Sequence, residues 1–174
     1  MHVLPTNGLL LVQSGYDPWH MDRSPATGSP ERLGSRELRA WRGFLHAHNT
    51  LLRALDAELE AAHGMPVSSY EVLMNVADAD GERMRMHDIA SRVLLSRSGL
   101  TRLVDRLEKS GYVRRESCPD DARGAFAVLT PEGREALDAA RATHLAGVRE
   151  RFLRHFSDEE QEQLGAFWER LLPA

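Results

Sequence analysis

The stretch SRSGLTRLVDRLEKSGYVRRESCPDDARGAFAVLT, residues Ser96–Thr130, decides the fold of this chain. It begins with Ser96, whose hydroxyl is suited to cap a helix, and its apolar residues then recur every three or four positions. Gly111 is placed to end this helix, because glycine readily takes the left-handed conformation after a helix C-terminus. The pattern predicts an amphipathic helix running to Ser110, with these residues buried: Leu100, Leu103, Val104 and Leu107.

The second part of the same stretch predicts a β-hairpin. Residues Tyr112–Cys118 and Ala125–Leu129 have the composition of two strands. The segment between them, Pro119–Gly124, is rich in turn-forming residues. A hairpin is the most economical way to join two short strands through such a loop.

Upstream of Ser96 the sequence predicts a second short helix. It covers His87–Val93, with Ile89, Ala90 and Val93 on one side, and a break follows at Leu94–Leu95. A short extended piece, Arg83–Arg85, precedes it. Two short helices that are separated by a tight break and followed by a basic hairpin predict a winged helix-turn-helix.

Longer helices are predicted before this module. From Ser35 the apolar residues alternate by three and four, which indicates one helix that Gly64 and Pro66 end. Its continuous apolar seam consists of Leu38, Trp41, Leu45, His48, Leu52, Leu55, Leu59 and Ala62. A capping box, Ser68-x-x-Glu71, predicts the start of the next helix. The residues expected to point inward from it are Tyr70, Leu73, Val76 and Ala77.

Two more helices are predicted at the C-terminal end. Thr130 is suited to cap the first of them, with Pro131 at its first position. A second capping box, Ser157-x-x-Glu160, opens the last helix. The predicted fold class is therefore mainly α with a small β-wing (α+β).

The charge of the chain is unevenly distributed. Between Arg83 and Arg123 there are ten basic and six acidic residues, a net charge of +4. The remainder holds 12 basic and 20 acidic residues, or −8, so the overall charge of −4 hides a basic middle. This distribution is expected when one module faces phosphates, although a solvated basic face explains charge alone about equally well.

The composition of the chain indicates in which compartment the protein lies and which part of the chain forms no core. The 174 residues contain one cysteine and no apolar run near the start that is long enough for a signal peptide or a membrane span, which predicts a cytoplasmic protein. Residues 1–34 hold four of the eight prolines and are expected to form a flexible leader. Met21 opens a shorter leader, and we hypothesise that residues 1–20 lie upstream of the true start.

The polar face of the predicted second helix of the pair carries the candidate DNA contacts. Arginine can bind guanine edges through two hydrogen bonds, while serine and threonine can contact bases or phosphates. Arg123 in the hairpin is suited to a narrow minor groove, whose negative potential attracts a guanidinium, and Asp121 could orient it. The residues predicted to contact DNA are Ser96, Arg97, Ser98, Thr101, Arg102, Arg106 and Arg123. Asp105 lies on the same face.

Three spaced motifs resemble the multiple antibiotic resistance regulator (MarR) family. They are Leu107-x-x-x-Gly111-Tyr-Val113-x-Arg115, then Asp121-x-Arg123, then Leu129-Thr130-x-x-Gly133-Arg134-x-x-Leu137. The resemblance covers residues 35–174, and any one motif alone would be weak. Cys118 is a departure, since an acidic or polar residue is expected at this position in many relatives, and it puts the polar contacts at the base of the wing in doubt.

The resemblance implies a transcription regulator, by default a repressor, that binds a pseudo-palindromic operator as an obligate homodimer. It implies four segments: a leader at 1–34, a dimerisation helix at 35–66, a winged helix-turn-helix module at 67–130 and C-terminal dimerisation helices at 131–174. Residues 96–106 would enter the major groove and Arg123 the minor groove. The exposed apolar seams expected of the outer helices agree with a dimer, although an intramolecular bundle would also use them.

The resemblance further suggests release from DNA by a small aromatic or phenolic acid. Its pocket would lie where the first, second and fifth helices meet the winged module. The candidate lining residues supply a cation, flat rings and polar anchors, and they are Arg39, Trp41, His46, His48 and Tyr70. A histidine on an apolar seam, like His48, is more often a core or interface residue than a ligand.

Other functions remain open from the sequence. Cys118 beside the wing would allow a redox-responsive regulator, with Arg114 or Arg115 favouring its thiolate. A helical protein-interaction module would use the apolar seam and leave the basic face without a role. No metal or cofactor is expected, because the histidines are scattered and His46 and His48 point to different faces. No motif for an enzyme stands out, and nothing fixes a catalytic geometry for Thr101, Asp105 and His87.

Overall fold

The protein is described from a computed structural model, which covers residues 32–93, 96–118 and 121–172. The side chains of Arg97 and of residues 121–123 lie outside this description. The leader up to residue 31 and the break predicted at Leu94–Leu95 also fall outside it.

The described chain is mainly helical, with one small sheet. The order of elements is α1 (Ser35–His63), α2 (Val67–Ala77), a 3-10 turn (Asp80–Glu82), β1 (Arg83–Arg85), α3 (Met86–Arg92), α4 (Arg97–Lys109), β2 (Val113–Cys118), β3 (Asp121–Leu129), α5 (Pro131–Arg151), a second 3-10 turn (Leu153–His155) and α6 (Asp158–Leu171). This is the predicted order of helices and strands, and the fold class is confirmed as mainly α with a small antiparallel sheet. No helix within the described residues is both long and apolar enough to cross a membrane.

The chain divides into two compact units, Met1–Leu45 and His46–Ala174. In the first unit, the rings of Trp41 and Phe44 stack with their centroids 6.1 Å apart. The second unit contains the main apolar core, which gathers residues of the second half of α1, of α2, α3, α4, the sheet and α5. Its largest fully buried side chains are Leu59, Leu73, Ile89, Leu100, Leu103, Leu137, Val72, Val76, Val104 and Val113.

The predicted inward faces of α2 and α4 are confirmed by this core. All four apolar residues predicted for α4 are at most 4% exposed. On α2, the side chains of Tyr70, Leu73 and Val76 are buried, while Ala77 is partly buried against the core. A strict helical spacing of apolar residues is sufficient to orient these two helices, because only one face can be removed from water.

Three of the predicted helix starts are confirmed by their caps. The hydroxyl of Ser96 accepts a hydrogen bond from the amide of Gly99 at 3.1 Å. The hydroxyl of Thr130 accepts one from the amide of Gly133 at 2.9 Å, and Ser157 forms the predicted reciprocal capping box with Glu160. Each of these side chains satisfies an amide that would otherwise lack a partner at a helix N-terminus.

The capping box predicted at Ser68 and Glu71 is wrong. Helix α2 begins one residue earlier, at Val67, with Pro66 at the capping position and no side-chain cap from it. The carboxylate of Asp56 on α1 instead accepts a hydrogen bond from the amide of Val67 at 2.8 Å. Glu71 is half-buried, and this burial raises the pKa of its carboxyl above the usual value.

The sheet has the order β1-β3-β2, and both pairs are antiparallel. Pairing of β2 with β3 continues past an irregularity at Ser117 and Cys118 to the pair of Cys118 with Asp121. The prediction of a loop through Gly124 is therefore wrong, since β3 begins at Asp121. Ser117 pairs with Ala125 and Cys118 with Asp121, so residues 122–124 of β3 lie between two successive pairs, an irregularity that turn-forming residues alone do not reveal.

Glycine is required where α5 follows the sheet. The amide of Thr130 donates to the carbonyl of Tyr112 at 3.1 Å, which brings the first turn of α5 onto that carbonyl. A Cβ atom at Gly133 would lie less than 3.0 Å from both the carbonyl carbon and the oxygen of Tyr112. The absence of a side chain at Gly133 thus permits this close approach.

The predicted apolar seam of α1 is buried only in part. Leu55 and Leu59 are 8% and 0% exposed, whereas Trp41 is 53% exposed. The other large apolar side chains of the outer helices that remain exposed are Phe44, Leu45, Leu52, Leu145, Phe167, Trp168, Leu171 and Leu172. A single copy of the chain therefore leaves apolar surface uncovered on α1, α5 and α6, more than isolated surface residues would explain.

Candidate nucleic-acid interface

Helix α4 presents a polar face opposite its buried leucines. The side chains of Ser98, Thr101, Arg102 and Arg106 are exposed on this helix, and Ser96 is exposed at its start. Arg102 and Arg106 are one turn apart, and neither forms an ion pair among the described residues. The face therefore presents two guanidinium groups whose charge is available to an anionic partner.

Two of the predicted contact residues have their backbone placed but not their side chains. Arg97 is the first residue of α4, and Arg123 is the third residue of β3. Their side chains, with that of Asp121, lie outside the described residues, so their roles stay predictions. The hydroxyl of Ser96 is engaged in capping α4 and lies 3.3 Å from the hydroxyl of Ser98.

Arg115 ties the wing to helix α4. Its guanidinium donates to Asp105 Oδ1 at 2.5 Å and to Glu108 Oε2 at 2.6 Å, and its side chain is 29% exposed. It also lies 3.4 Å from the carbonyl oxygen of Thr101, and its backbone amide donates to Glu108 Oε1 at 3.2 Å. One arginine on β2 therefore joins this strand to α4 and bridges two of its carboxylates, whose summed charge it reduces from −2 to −1.

Sequence reasoning quoted Arg115 as part of a motif but did not identify this role. The available signal was the pair of acidic residues, Asp105 and Glu108, one turn apart on the otherwise basic helix. Acidic side chains next to a phosphate-binding surface are unfavourable unless a cation faces them. A search for that cation in the following strand would have found Arg115.

A second basic feature lies on the outer face of the sheet. The guanidinium carbons of Arg83 and Arg85 on β1 lie 4.4 Å and 5.4 Å from the ring centroid of Phe126 on β3. On β2, Glu116 forms an ion pair with Arg114 and lies 3.8 Å from Arg83. Sequence reasoning assigned a role to Arg114 alone among these residues, as a neighbour of the Cys118 thiolate, because the proximity of the others depends on strand register.

The residues predicted to line a ligand pocket have different surroundings. Arg39 and Trp41 are exposed in the first unit, and His46 and His48 are exposed in the second. Tyr70 is buried, 2% exposed, and its ring lies 4.5 Å from the ring of His144. The pocket stays a prediction.

No group of acidic, histidine or cysteine side chains within the described residues could hold a metal ion.

Tyr70 and His144 form a buried polar contact between α2 and α5. Burial raises the pKa of Tyr70, against the opposing effect of a hydrogen bond and positive charge from Arg141. Burial lowers the pKa of His144, and its Nδ1 atom is buried without a hydrogen-bond partner among the described residues. Neither ring gains from ionisation, so the contact favours neutral side chains.

We expect His144 to make the folded protein less stable in mild acid. Because its pKa is lowered in the folded state, the neutral form stabilises the fold above the usual value of 6.5, and this stability is lost as the pH falls below 6.5. Replacing His144 by Phe keeps an aromatic ring against Tyr70 and removes the titration. Thermal midpoints measured across this range should fall more steeply for the original protein than for the variant. Parallel curves would contradict the prediction.

Cys118 is 5% exposed and ends β2. A thiol must reach solvent to react with an oxidant, so its burial disfavours the redox-responsive alternative. The arginines proposed to assist it are also engaged elsewhere, since Arg114 pairs with Glu116 and Arg115 with Asp105 and Glu108.

Comparison with known proteins points to one family. The sequence model of the MarR family matches residues 63–124. Sco3205 of Streptomyces coelicolor, described as a MarR family transcriptional regulator in complex with DNA, is 38% identical with a TM-score of 0.77. That similarity covers 83% of this chain and 94% of the solved chain.

Two curated relatives from Bacillus subtilis agree with this result. The uncharacterised HTH-type transcriptional regulator YkoM is 32% identical over 102 residues, which are 59% of this chain and 64% of YkoM. The HTH-type transcriptional repressor YetL is 29% identical over 115 residues, which are 64% of this chain and 68% of YetL. The chain thus spans about two thirds of the length of these relatives.

Proposed function

Because the chain belongs to the MarR family, whose members are transcription regulators rather than enzymes, we propose that it binds double-stranded DNA as a homodimer and represses transcription until a small ligand releases it. The observation that carries DNA binding is the exposed face of α4, where Arg102 and Arg106 have no ion-pair partner among the described residues. Sco3205, which shares this fold, was solved with DNA.

The winged module, residues 67–130, would approach DNA through two elements. Helix α4 enters the major groove, where Arg102 and Arg106 meet guanine edges or phosphates and Ser98 and Thr101 contact their neighbours. Arg123 in β3 enters the adjacent minor groove. Arg115 supports both contacts, because it joins β2 to α4.

The homodimer is supported by the apolar side chains that one copy leaves exposed. Residues 35–66 and 131–174 would form its dimerisation helices. A second copy would cover their exposed apolar side chains, among them Trp41 on α1, which is 53% exposed, and Phe167 on α6, which is 48% exposed. A two-fold axis would place the two α4 helices about 34–36 Å apart, which requires a pseudo-palindromic operator.

Repression and ligand release are the finer parts of the proposal. YetL is named as a repressor, and a dimer bound across an operator blocks access to that DNA. The proposed effector is a small aromatic or phenolic acid, held by the side chains predicted for that role: Arg39, Trp41, His46, His48 and Tyr70. Arg39 would supply the cation for its carboxylate.

The test is DNA binding by a variant that carries both Arg102→Ala and Arg123→Ala. Each lost contact is expected to cost about 1–3 kcal/mol, so the double variant should bind its upstream intergenic DNA at least about 30-fold more weakly. Fluorescence anisotropy measures the affinity, and sedimentation shows whether the variant is still a dimer. Arg149→Ala is the matched control, because Arg149 is an exposed arginine of α5 without an ion pair among the described residues.

Two results would contradict the proposal. If the original protein did not prefer its upstream DNA over a scrambled duplex, specific regulation would be excluded under those conditions, and the helical interaction module would be favoured. If the double variant bound like Arg149→Ala, the interface would lie elsewhere. Titrating salicylate into the preformed complex tests release, and an unchanged anisotropy would exclude this effector.

A further inference from the structure

The outer face of the wing sheet carries two arginines on one aromatic ring. Strand β1 alternates, with Met84 buried at 6% exposure between the exposed Arg83 and Arg85. Residues i and i+2 of a strand share a face, so both arginines point the same way. Their guanidinium carbons lie 4.4 Å and 5.4 Å from the ring centroid of Phe126, within the range of cation–π attraction.

This pair of guanidinium groups is only partly neutralised. Glu116 lies 3.8 Å from Arg83 but is also paired with Arg114. Arg85 has no carboxylate partner among the described residues, and the ring of Phe126 rather than an ion pair holds it in place. Above the ring, Glu116 is the carboxylate that lies within ion-pair distance of one of the two guanidinium groups, that of Arg83, among the described residues, and it is shared with Arg114. Contact with the ring favours some side-chain conformations over others, so binding an anion costs these arginines less entropy than it would cost arginines without a ring contact.

Strand register places this pair beside the part of the wing that is proposed to enter the minor groove. Arg85 is paired with Phe126, and Phe126 follows Arg123 by three residues on β3. Three residues of strand span about 10 Å, and β1 lies about 4.8 Å to the side of β3. The minor groove is about 6 Å wide. When β3 is aligned with the groove, the neighbouring strand therefore lies over the sugar-phosphate backbone that borders it.

We propose that Arg83 and Arg85, stacked on Phe126, bind a phosphate of the DNA backbone beside the minor groove that the wing enters. This rests on the proposed function and adds a contact that none of the predicted DNA-binding residues supplies. The phosphate fixes the position of the wing without reading sequence, since phosphate oxygens are the same at every base pair.

The cleft behind the two arginines favours a DNA phosphate over a free anion. It has a volume of about 430 Å³, and its lining includes the carboxylates of Asp78, Asp80 and Asp88. A small anion that entered the cleft would face these carboxylates. A phosphodiester is tethered by its own chain, so it need not enter the cleft to meet the exposed guanidinium groups of Arg83 and Arg85.

The test measures the salt dependence of binding to a duplex of arbitrary sequence. Each phosphate contact contributes about 0.9 to the slope of log K against log salt concentration, so Arg83→Gln with Arg85→Gln should reduce the slope by about 1.8 in a dimer. Both side chains are exposed, and thermal melting confirms that the variant is folded. Arg149→Gln is the matched control and should keep the original slope. The Phe126→Leu variant retains both charges and should bind more weakly with nearly the original slope.

The outcomes separate this inference from the proposed function. A slope that falls in the double variant but not in the control supports the phosphate contact. An unchanged slope, with binding still lost in the Arg102→Ala and Arg123→Ala variant, overturns the contact alone. Absence of salt-dependent binding by the original protein overturns both. If inorganic phosphate shifts the Arg85 Nε resonance while the DNA slope is unchanged, the pair binds free phosphate and the inference is wrong.

Discussion

Replacing Gly133 by alanine is expected to lower the free energy of unfolding by about 3 kcal/mol, at the upper end of the cost of overpacking a core. The added Cβ would lie less than 3.0 Å from the carbonyl carbon and oxygen of Tyr112, which are backbone atoms. Tyr112 cannot retreat easily, because its carbonyl also accepts the amide of Thr130 at 3.1 Å. Urea unfolding followed by circular dichroism measures the change.

Gly165→Ala is the matched control for this experiment. Gly165 lies within helix α6, and a Cβ there would have no neighbour within 4 Å. Alanine in a helix interior is favoured over glycine by about 1 kcal/mol, so this variant should be slightly more stable. If Gly133→Ala were as stable as the original protein, the first turn of α5 would be free to move away from Tyr112, and the packing argument would fail.

The second large effect is expected from Arg115→Ala, which should weaken DNA binding about 30-fold or more. Arg115 donates one hydrogen bond to Asp105 and one to Glu108, and like charges brought together across an interface cost roughly several kcal/mol, of which about 2 kcal/mol already corresponds to 30-fold in affinity. Without it, two carboxylates on the DNA-facing helix repel phosphates, and β2 loses its tie to α4. Affinity for the upstream DNA, measured by anisotropy at fixed salt, tests this expectation.

Two further variants show which of these effects dominates. Arg134→Ala removes an arginine of similar exposure, 31% against 29%, whose partner Glu82 lies outside α4 and the hairpin, so it should bind DNA normally. Adding Glu108→Gln alone to Arg115→Ala returns the summed charge of the three side chains to its original −1 but does not restore the tie. Recovery of affinity in that double variant would assign the loss to electrostatics. Normal binding by Arg115→Ala alone would show that the contact has no role in recognition.

The fold was predictable where its signals are local. Ser96, Thr130 and Ser157 cap the helices that they were predicted to cap, because each accepts an amide only three residues ahead. The start of α2 was not predictable in this way. The acceptor for the amide of Val67 is Asp56, which lies 11 residues away on α1, so tertiary packing replaced the local capping box.

The candidate interface was likewise predictable only where it depends on the local sequence. Helical spacing was enough to place Arg102 and Arg106 on the exposed face of α4, although their DNA contacts stay predictions. The roles of Arg115 and Phe126 depend on pairing between strands. Phe126 lies opposite Arg85 on one side and Glu116 on the other, a relation that exists only once the register of three strands is set.

The short strand β1 also has a consequence for how the module folds. Its pairing joins Arg83 to Val128, so α3, α4 and β2 all lie inside the loop that this pairing closes. Closing a long loop costs entropy that only the completed packing repays, and an isolated two-stranded hairpin has little stability in water. The helix pair and the wing should therefore form together in one cooperative step. A regulator built this way presents α4 and the wing, the two elements proposed to contact DNA, either both in place or not at all.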